Sequence, residues 1–126
     1  MSDFLALLRG TEIEPPLDDA TIDDVLSKFP INVPSEYRDF MRHANGAMGD
    51  VGSGWILLHS LEGISAPGED DPLPGRVVIG YDGGTFYYAM RDGDPPQFVE
   101  ILIENFEERD LGPTMVDLLC NRTVLR

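Results

Sequence analysis

A glycine-rich run, two histidines, one cysteine and several close-set carboxylates are the residues from which chemistry could be built. Gly46-Ala47-Met48-Gly49-Asp50-Val51-Gly52-Ser53-Gly54 has the glycine density of a phosphate-binding loop. Such loops join a strand to a following helix and carry a lysine that reaches the phosphates. Here the flanking pattern is helix before and strand after, no lysine is near, and Asp50 would repel a phosphate. The run therefore reads as a structural turn. His43 stands one residue from a helix end, where a cation is favoured. His59 lies beside apolar residues on a strand, the usual setting of a structural histidine. A zinc site would need two further ligands at suitable spacing. Cys120, among leucines, reads as a small buried hydrophobe, and alone it makes neither a disulfide framework nor a cysteine-built metal cluster. No nucleophile–base pair, metal set or cofactor loop emerges. The chain is assigned no catalytic, metal-binding or cofactor-binding residue and reads as a binding protein rather than an enzyme.

The carboxylates favour contact over catalysis. Asp18-Asp19 and Asp23-Asp24 flank a helix start, where negative charge meets the positive end of the dipole, so they serve structure as readily as a partner. Glu69-Asp70-Asp71 lies in a proline-rich loop with no basic neighbour before Arg76, which makes it the leading candidate for an electrostatic contact. Asp92 and Asp94 suit a turn or a calcium ligand, but the twelve-residue calcium-loop pattern is absent. The candidate partner contacts are Glu69, Asp70, Asp71, Asp92, Asp94, Asp18 and Asp19.

Charge narrows the partner class. Twenty-three acidic residues against nine basic ones, Lys28 the single lysine, give a net charge of −14 on 126 residues. Nucleic acid and anionic membrane are repelled, because binding the phosphate backbone needs cations to displace its counterions. A basic protein would be attracted over about a Debye length, and its encounter speeded. The same surface also maintains solubility. Trp55, Tyr81, Tyr87 and Tyr88 suit a sheet first; if one face of that sheet is open, its tyrosines would anchor a protein partner. Core packing is the expected role of Trp55 and Phe86.

These residues need elements to hold them. Ile22, Val25, Leu26 and Phe29 recur at i, i+3, i+4 and i+7 until Pro30, behind a capping pattern of Thr21 with Asp24. Pro34 suits a helix's first turn, and Tyr37, Phe40, Met41 and Ala44 repeat the same apolar spacing. Asn45-Gly46 is expected to cap that helix in the left-handed conformation. Both helices are too short to stand alone and must dock on a shared surface. That surface is expected to be a sheet. Trp55 to His59 is a strand, and Arg76 to Tyr81 with Thr85 to Arg91 forms a hairpin around Asp82-Gly83-Gly84. Gln97 to Ile103 alternates, placing Val99 and Ile101 opposite Phe98 and Glu100. Pro113 to Asn121 is a last helix with Met115, Leu118 and Leu119 inward. Glu12 to Leu17, with Pro15-Pro16, reads as a linker.

The expected class is α+β, an antiparallel sheet of about four to six strands with N-terminal helices and a C-terminal helix packed on it. Length predicts one domain over residues 1–126, of which 1–19 form an N-terminal extension. No apolar run approaches a membrane span, and Phe4-Leu5-Ala6-Leu7-Leu8 behind Asp3 does not make a signal peptide, so the expected location is cytoplasmic.

Pro34, Tyr37, Phe40, Asn45, Gly46 and Trp55, in this order and spacing, resemble the signature of the SUKH superfamily. That group takes in the yeast Smi/Knr-type cell-wall regulators and many bacterial immunity proteins. Ile79-Gly80-Tyr81-Asp82-Gly83-Gly84 with Phe86-Tyr87-Tyr88 resembles its glycine turn and aromatic strand. Where the family opens its C-terminal helix with Ser-Phe, this chain has Asn105-Phe106, and Gly112-Pro113 interrupts the helix that would continue from there. The resemblance covers roughly residues 20 to 120. It implies a non-enzymatic protein, without cofactor, that binds and neutralises a cognate toxin, often a nuclease whose basic cleft a carboxylate-rich surface would occupy. The alternative it implies is an intracellular regulatory or scaffolding module that binds a protein or peptide. Oligomeric state is not implied. If Glu69, Asp70 and Asp71 steer such an encounter, reversing all three to lysine slows association with a basic toxin, most at low salt. Unchanged stopped-flow association rates would remove the loop from the contact.

Overall fold

The computed structural model describes residues 8–29, 31–51, 54–61 and 75–123. The first helix among the described residues, α1 (Asp19–Ser27), begins where Asp18 accepts a hydrogen bond from the Thr21 N–H at 2.8 Å. Capping thus falls to Asp18 rather than to the expected Thr21–Asp24 pair. The bond from Thr21 holds the Asp18 carboxyl below its ordinary range. Helix α2 (Ser35–His43) starts directly after Pro34, whose fixed φ of −55° aims the chain into the first turn. Tyr37, Phe40 and Met41 are buried on one face, as their spacing predicts.

The end of α2 departs from the expected cap. Ala44 is extended, its N–H bonds to the Phe40 carbonyl, and Asn45 does not take a positive φ. Gly46 does, at 101°, because its backbone presses on the chain beyond Leu58. A Cβ there would stand 2.7 Å from the Leu58 carbonyl oxygen. Asn45 is instead a buried clamp, its Oδ1 accepting the Leu61 N–H at 2.8 Å.

Among the described residues, seven strands form one antiparallel sheet in sequence order: β1 (Glu12–Ile13), β2 (Ala47–Asp50), β3 (Trp55–Leu58), β4 (Arg76–Tyr81), β5 (Phe86–Arg91), β6 (Gln97–Leu102) and β7 (Glu108–Gly112). The class is α+β, with more strands than the four to six expected. The supposed linker holds β1, and the supposed glycine turn holds β2. Asn105-Phe106 belongs to the turn between β6 and β7, not to a helix start. The last helix, α3 (Met115–Asn121), opens with a capping box in which Thr114 and Asp117 bond each other's backbone N–H.

Two unbroken cross-strand rows define the faces. Ile13, Ala47, Leu58, Gly80, Tyr88, Glu100 and Arg109 pair in register on the face turned to the helices. Glu12, Met48, Leu57, Tyr81, Tyr87, Ile101 and Glu108 pair on the opposite face. The main core joins Ile22, Tyr37, Phe40, Met41, Met115 and Leu118 of the helices to Ile56, Ile79, Tyr88, Met90 and Phe98 of the sheet. Leu8, inside the segment expected as an extension, is part of that core. Cys120 is exposed, not buried, since α3 turns Leu118 and Leu119 inward instead.

Strand β4 carries an extra residue between Val78 and Gly80 opposite β5. This bulge reverses the alternation, so Ile79 stays in the core while Tyr81 turns outward. Gly80 also forms the seam between β4 and β3, where a Cβ would collide with the Leu57 carbonyl oxygen. Gly80→Ala is expected to cost about 2 kcal/mol, within the range for overpacking a core, read from urea denaturation midpoints. A loss under about 0.5 kcal/mol, the range of surface substitutions, would mean that the seam relaxes freely.

Candidate partner-binding face

The face turned away from the helices has two unlike halves. Over β5 to β7 it is closed. Arg76 grips Glu108 with two bonds of 2.6 and 2.9 Å, and Arg91 bridges Glu108 at 2.8 Å to Asp110 at 2.5 Å. Arg76, first, and Arg91 hold the Glu108 carboxyl below its ordinary range. Ala89, Val99 and Ile101, on the same face by register, are completely buried.

Over β1 to β4 the same face is open. Met48 is 39% exposed and Trp55 40%, with half-buried Leu57, Tyr81 and Tyr87 beside them. Trp55, expected in the core, stands instead on the surface, because β3 places Ile56 and Leu58 inward. Its ring meets Tyr81 edge-on at 6.2 Å, and Tyr81 stacks on His59 at 5.9 Å. Gly83, in the β4–β5 turn, lies beside the indole, and a Cβ there would make an ordinary contact with it at 3.7 Å. Asp82 braces that turn, its Oδ1 accepting the Gly84, Thr85 and Phe86 N–H groups. At the edge lies an open cleft of about 350 Å³ whose lining includes Glu12, Glu14, Met48, Leu57 and His59.

Of the residues proposed from sequence as partner contacts, the described ones, Asp18, Asp19, Asp92 and Asp94, do not gather here. Asp18 caps α1, and Asp19 pairs with Arg42 at 3.3 Å across the two N-terminal helices. Asp92 accepts the Asn32 N–H at 2.9 Å, tying the β5–β6 turn to the α1–α2 connection, and Asp94 is exposed in the same turn. Glu69, Asp70 and Asp71 lie outside the described residues. Of the signature residues, Pro34, Tyr37, Phe40, Asn45 and Gly46 are buried and position the helix against the sheet; Trp55 alone faces outward. Met48 and Leu57 carry no signal of their own in the sequence, and only the β2–β3 register reveals that they share a row.

A family model described as SMI1 / KNR4 family (SUKH-1) matches residues 16–121. The chain belongs to this family. No curated protein matches it. In this SUKH-1 chain the outward-facing residues of β1 to β3 are Glu12, Met48, Asp50, Trp55 and Leu57, so that quarter of the sheet presents apolar surface and carboxylates but no lysine or arginine. What it offers chemically is anchoring area and negative potential. Among the described residues, no three His, Cys, Asp or Glu side chains are grouped to hold a metal, and no helix is long and apolar enough to cross a membrane.

His59 gives the face a pH dependence. Burial holds its imidazole below the ordinary value of 6.5, so the unfolded chain takes up a proton more readily than the folded one. Stability from this group is full above about pH 6.5 and declines as pH falls through that value toward the folded pKa. The urea midpoint of His59→Gln should therefore fall less than that of the unsubstituted protein between about pH 7.5 and about pH 5.5. Parallel pH profiles would assign no such role to His59.

Proposed function

We propose that this SUKH-1 protein is a non-enzymatic immunity protein that binds a cognate toxin and blocks it. The supporting observation is the open half of the sheet, where Met48, Leu57 and Tyr81 form one cross-strand row, Trp55 packs edge-on against Tyr81, and Glu12, Glu14 and Asp50 stand beside them. Binding energy at protein contacts concentrates in a few aromatic anchors, while surrounding charge steers the encounter and fixes orientation. A nuclease suits such a face best, because its nucleic-acid cleft is basic and a carboxylate-rimmed surface can fill it. The place of action on this reading is the cytoplasm, where an immunity protein meets incoming toxin.

A second reading, a regulatory module of the Smi/Knr type that binds a protein or peptide, is favoured by the name of the matched family model. Genetic context separates the two: a gene for a large secreted toxin next door supports immunity. The direct test is co-expression with the product of the neighbouring gene, scoring growth rescue and co-purification. Trp55→Ala should then weaken the complex by about 2 kcal/mol, a factor of roughly 30, as expected for an aromatic anchor. Its own stability should change by less than about 1 kcal/mol, since the ring is already partly in water. A complex indifferent to Trp55→Ala would place the contact elsewhere on the molecule.

A further inference from the structure

Resting on the protein-binding reading of the same face, we infer that its occupant is a cationic protein segment carrying an arginine, whose guanidinium enters the cleft beside His59. The cleft combines features that suit a guanidinium. Glu12 and Glu14 stand at its wall, both exposed and neither engaged in an ion pair among the described residues. Met48 and Leu57 form its apolar side, and His59 brings the edge of an aromatic stack that continues through Tyr81 to Trp55.

Arginine fits this arrangement better than lysine for three reasons. Its planar fork can take a carboxylate with two parallel bonds. Its weaker hydration makes an apolar wall less costly to lie against. Its flat face stacks on aromatic rings, which a compact ammonium does not do as well. His59 does not oppose the charge, because burial keeps its imidazole neutral near pH 7. The competing acidic patches are differently placed: Asp19, Asp23 and Asp24 of α1 already hold Arg42, Arg38 and Lys28. Charge complementarity and an aromatic platform coincide at β1 to β3.

The test uses isotope-labelled full-length protein titrated with acetyl-Gly-Arg-Gly-amide and, separately, acetyl-Gly-Lys-Gly-amide at low salt. Amide shifts should concentrate at Glu12, Glu14, Met48, Leu57 and His59. The arginine peptide should bind at least about threefold tighter, and E12Q/E14Q should weaken it about tenfold, the scale of one charge-assisted pair. Equal response to both peptides, or shifts centred on Asp18 to Asp24, overturns the inference. So does a concentration-dependent dimer in sedimentation that Trp55→Ala dissolves, because a second copy would then own the face. The neighbouring gene's product provides a separate arm. If it binds the unsubstituted protein and E12Q/E14Q equally, the arginine site falls while the protein-binding reading stands. If it binds neither and no toxin partner is found, that reading fails and the arginine site with it.

Discussion

Strands β3 and β4 approach as closely as they do because the α-carbon of Gly80 carries no side chain. Strands β3 and β4 meet through two registered pairs, Leu57 with Tyr81 and Leu58 with Gly80. On one side stand β1 to β3, on the other β4 to β7, and a methyl group at Gly80 would collide with the Leu57 carbonyl. Other bonds reinforce this seam. The His59 N–H reaches the Ile79 carbonyl at 2.8 Å. Arg122, almost fully buried, donates to the Trp55 carbonyl at 3.1 Å and to the Tyr88 hydroxyl at 3.0 Å, so it spans β3 and β5 from the C-terminal segment. Its cation lies 5.4 Å above the Tyr88 ring. Burial pushes the Tyr88 phenol up to about 12 although Arg122 pulls it down, so the hydroxyl stays protonated while it accepts the Arg122 bond. A buried arginine held this way is costly to leave without partners, which makes the last helix and the seam depend on each other. The surface consequence is the juxtaposition of Trp55 with Tyr81, which belong to strands on either side of it.

Charge has to be traced residue by residue before −14 means anything. In the helical layer Asp23 holds Arg38 with two bonds, Asp19 holds Arg42, and Asp24 holds Lys28. At the far end of the sheet Glu108 and Asp110 hold Arg76 and Arg91. Buried Glu100 is bound by Arg109 and by the backbone and hydroxyl of Thr123. Most of the described cations are thereby committed to internal ties, several of them exposed and individually weak. The outward residues of β1 to β3 are themselves free of lysine and arginine. Their negative potential comes from local exclusion of arginine and lysine, more informative than the total.

What is legible in the sequence is what a period announces. Ile22 and Leu26, Tyr37, Phe40 and Met41, and Met115, Leu118 and Leu119 all lie inward as spacing predicts. The β4–β5 hairpin announces itself through Asp82-Gly83-Gly84 between β-branched and aromatic runs. The short strands do not. Glu12-Ile13 is too brief to show any period, and Ala47-Met48-Gly49-Asp50 sits among glycines that imitate a loop. Their strand character comes from partners far along the chain, to which local pattern is blind. Alternation also misleads at β4, where counting by twos from Val77 and Ile79 would bury Tyr81; the bulge turns it outward. Trp55 misleads for a related reason, since an aromatic beside Ile56-Leu57-Leu58 looks like core until the register assigns it the opposite face.

Both edges of the sheet bear on how a partner can approach. An open edge invites another strand, and natural sheets blunt it with short strands, charge and proline. Strand β1 is two residues long and trailed by Pro15-Pro16, so it offers little ladder to extend. Strand β7 begins Glu108-Arg109-Asp110, and its Leu111 carbonyl is taken by the Asn121 amide at 2.9 Å. Strand addition finds little purchase on either described edge, which on the proposed reading leaves the broad face as the contact. There the row from Met48 through Leu57 to Tyr81 exposes apolar area that burial would stabilise, and the adjoining carboxylates give it a negative rim. On the proposed reading, aromatic area beside negative charge suits a partner of opposite charge, and the register of β1 to β4 is what brings the two together.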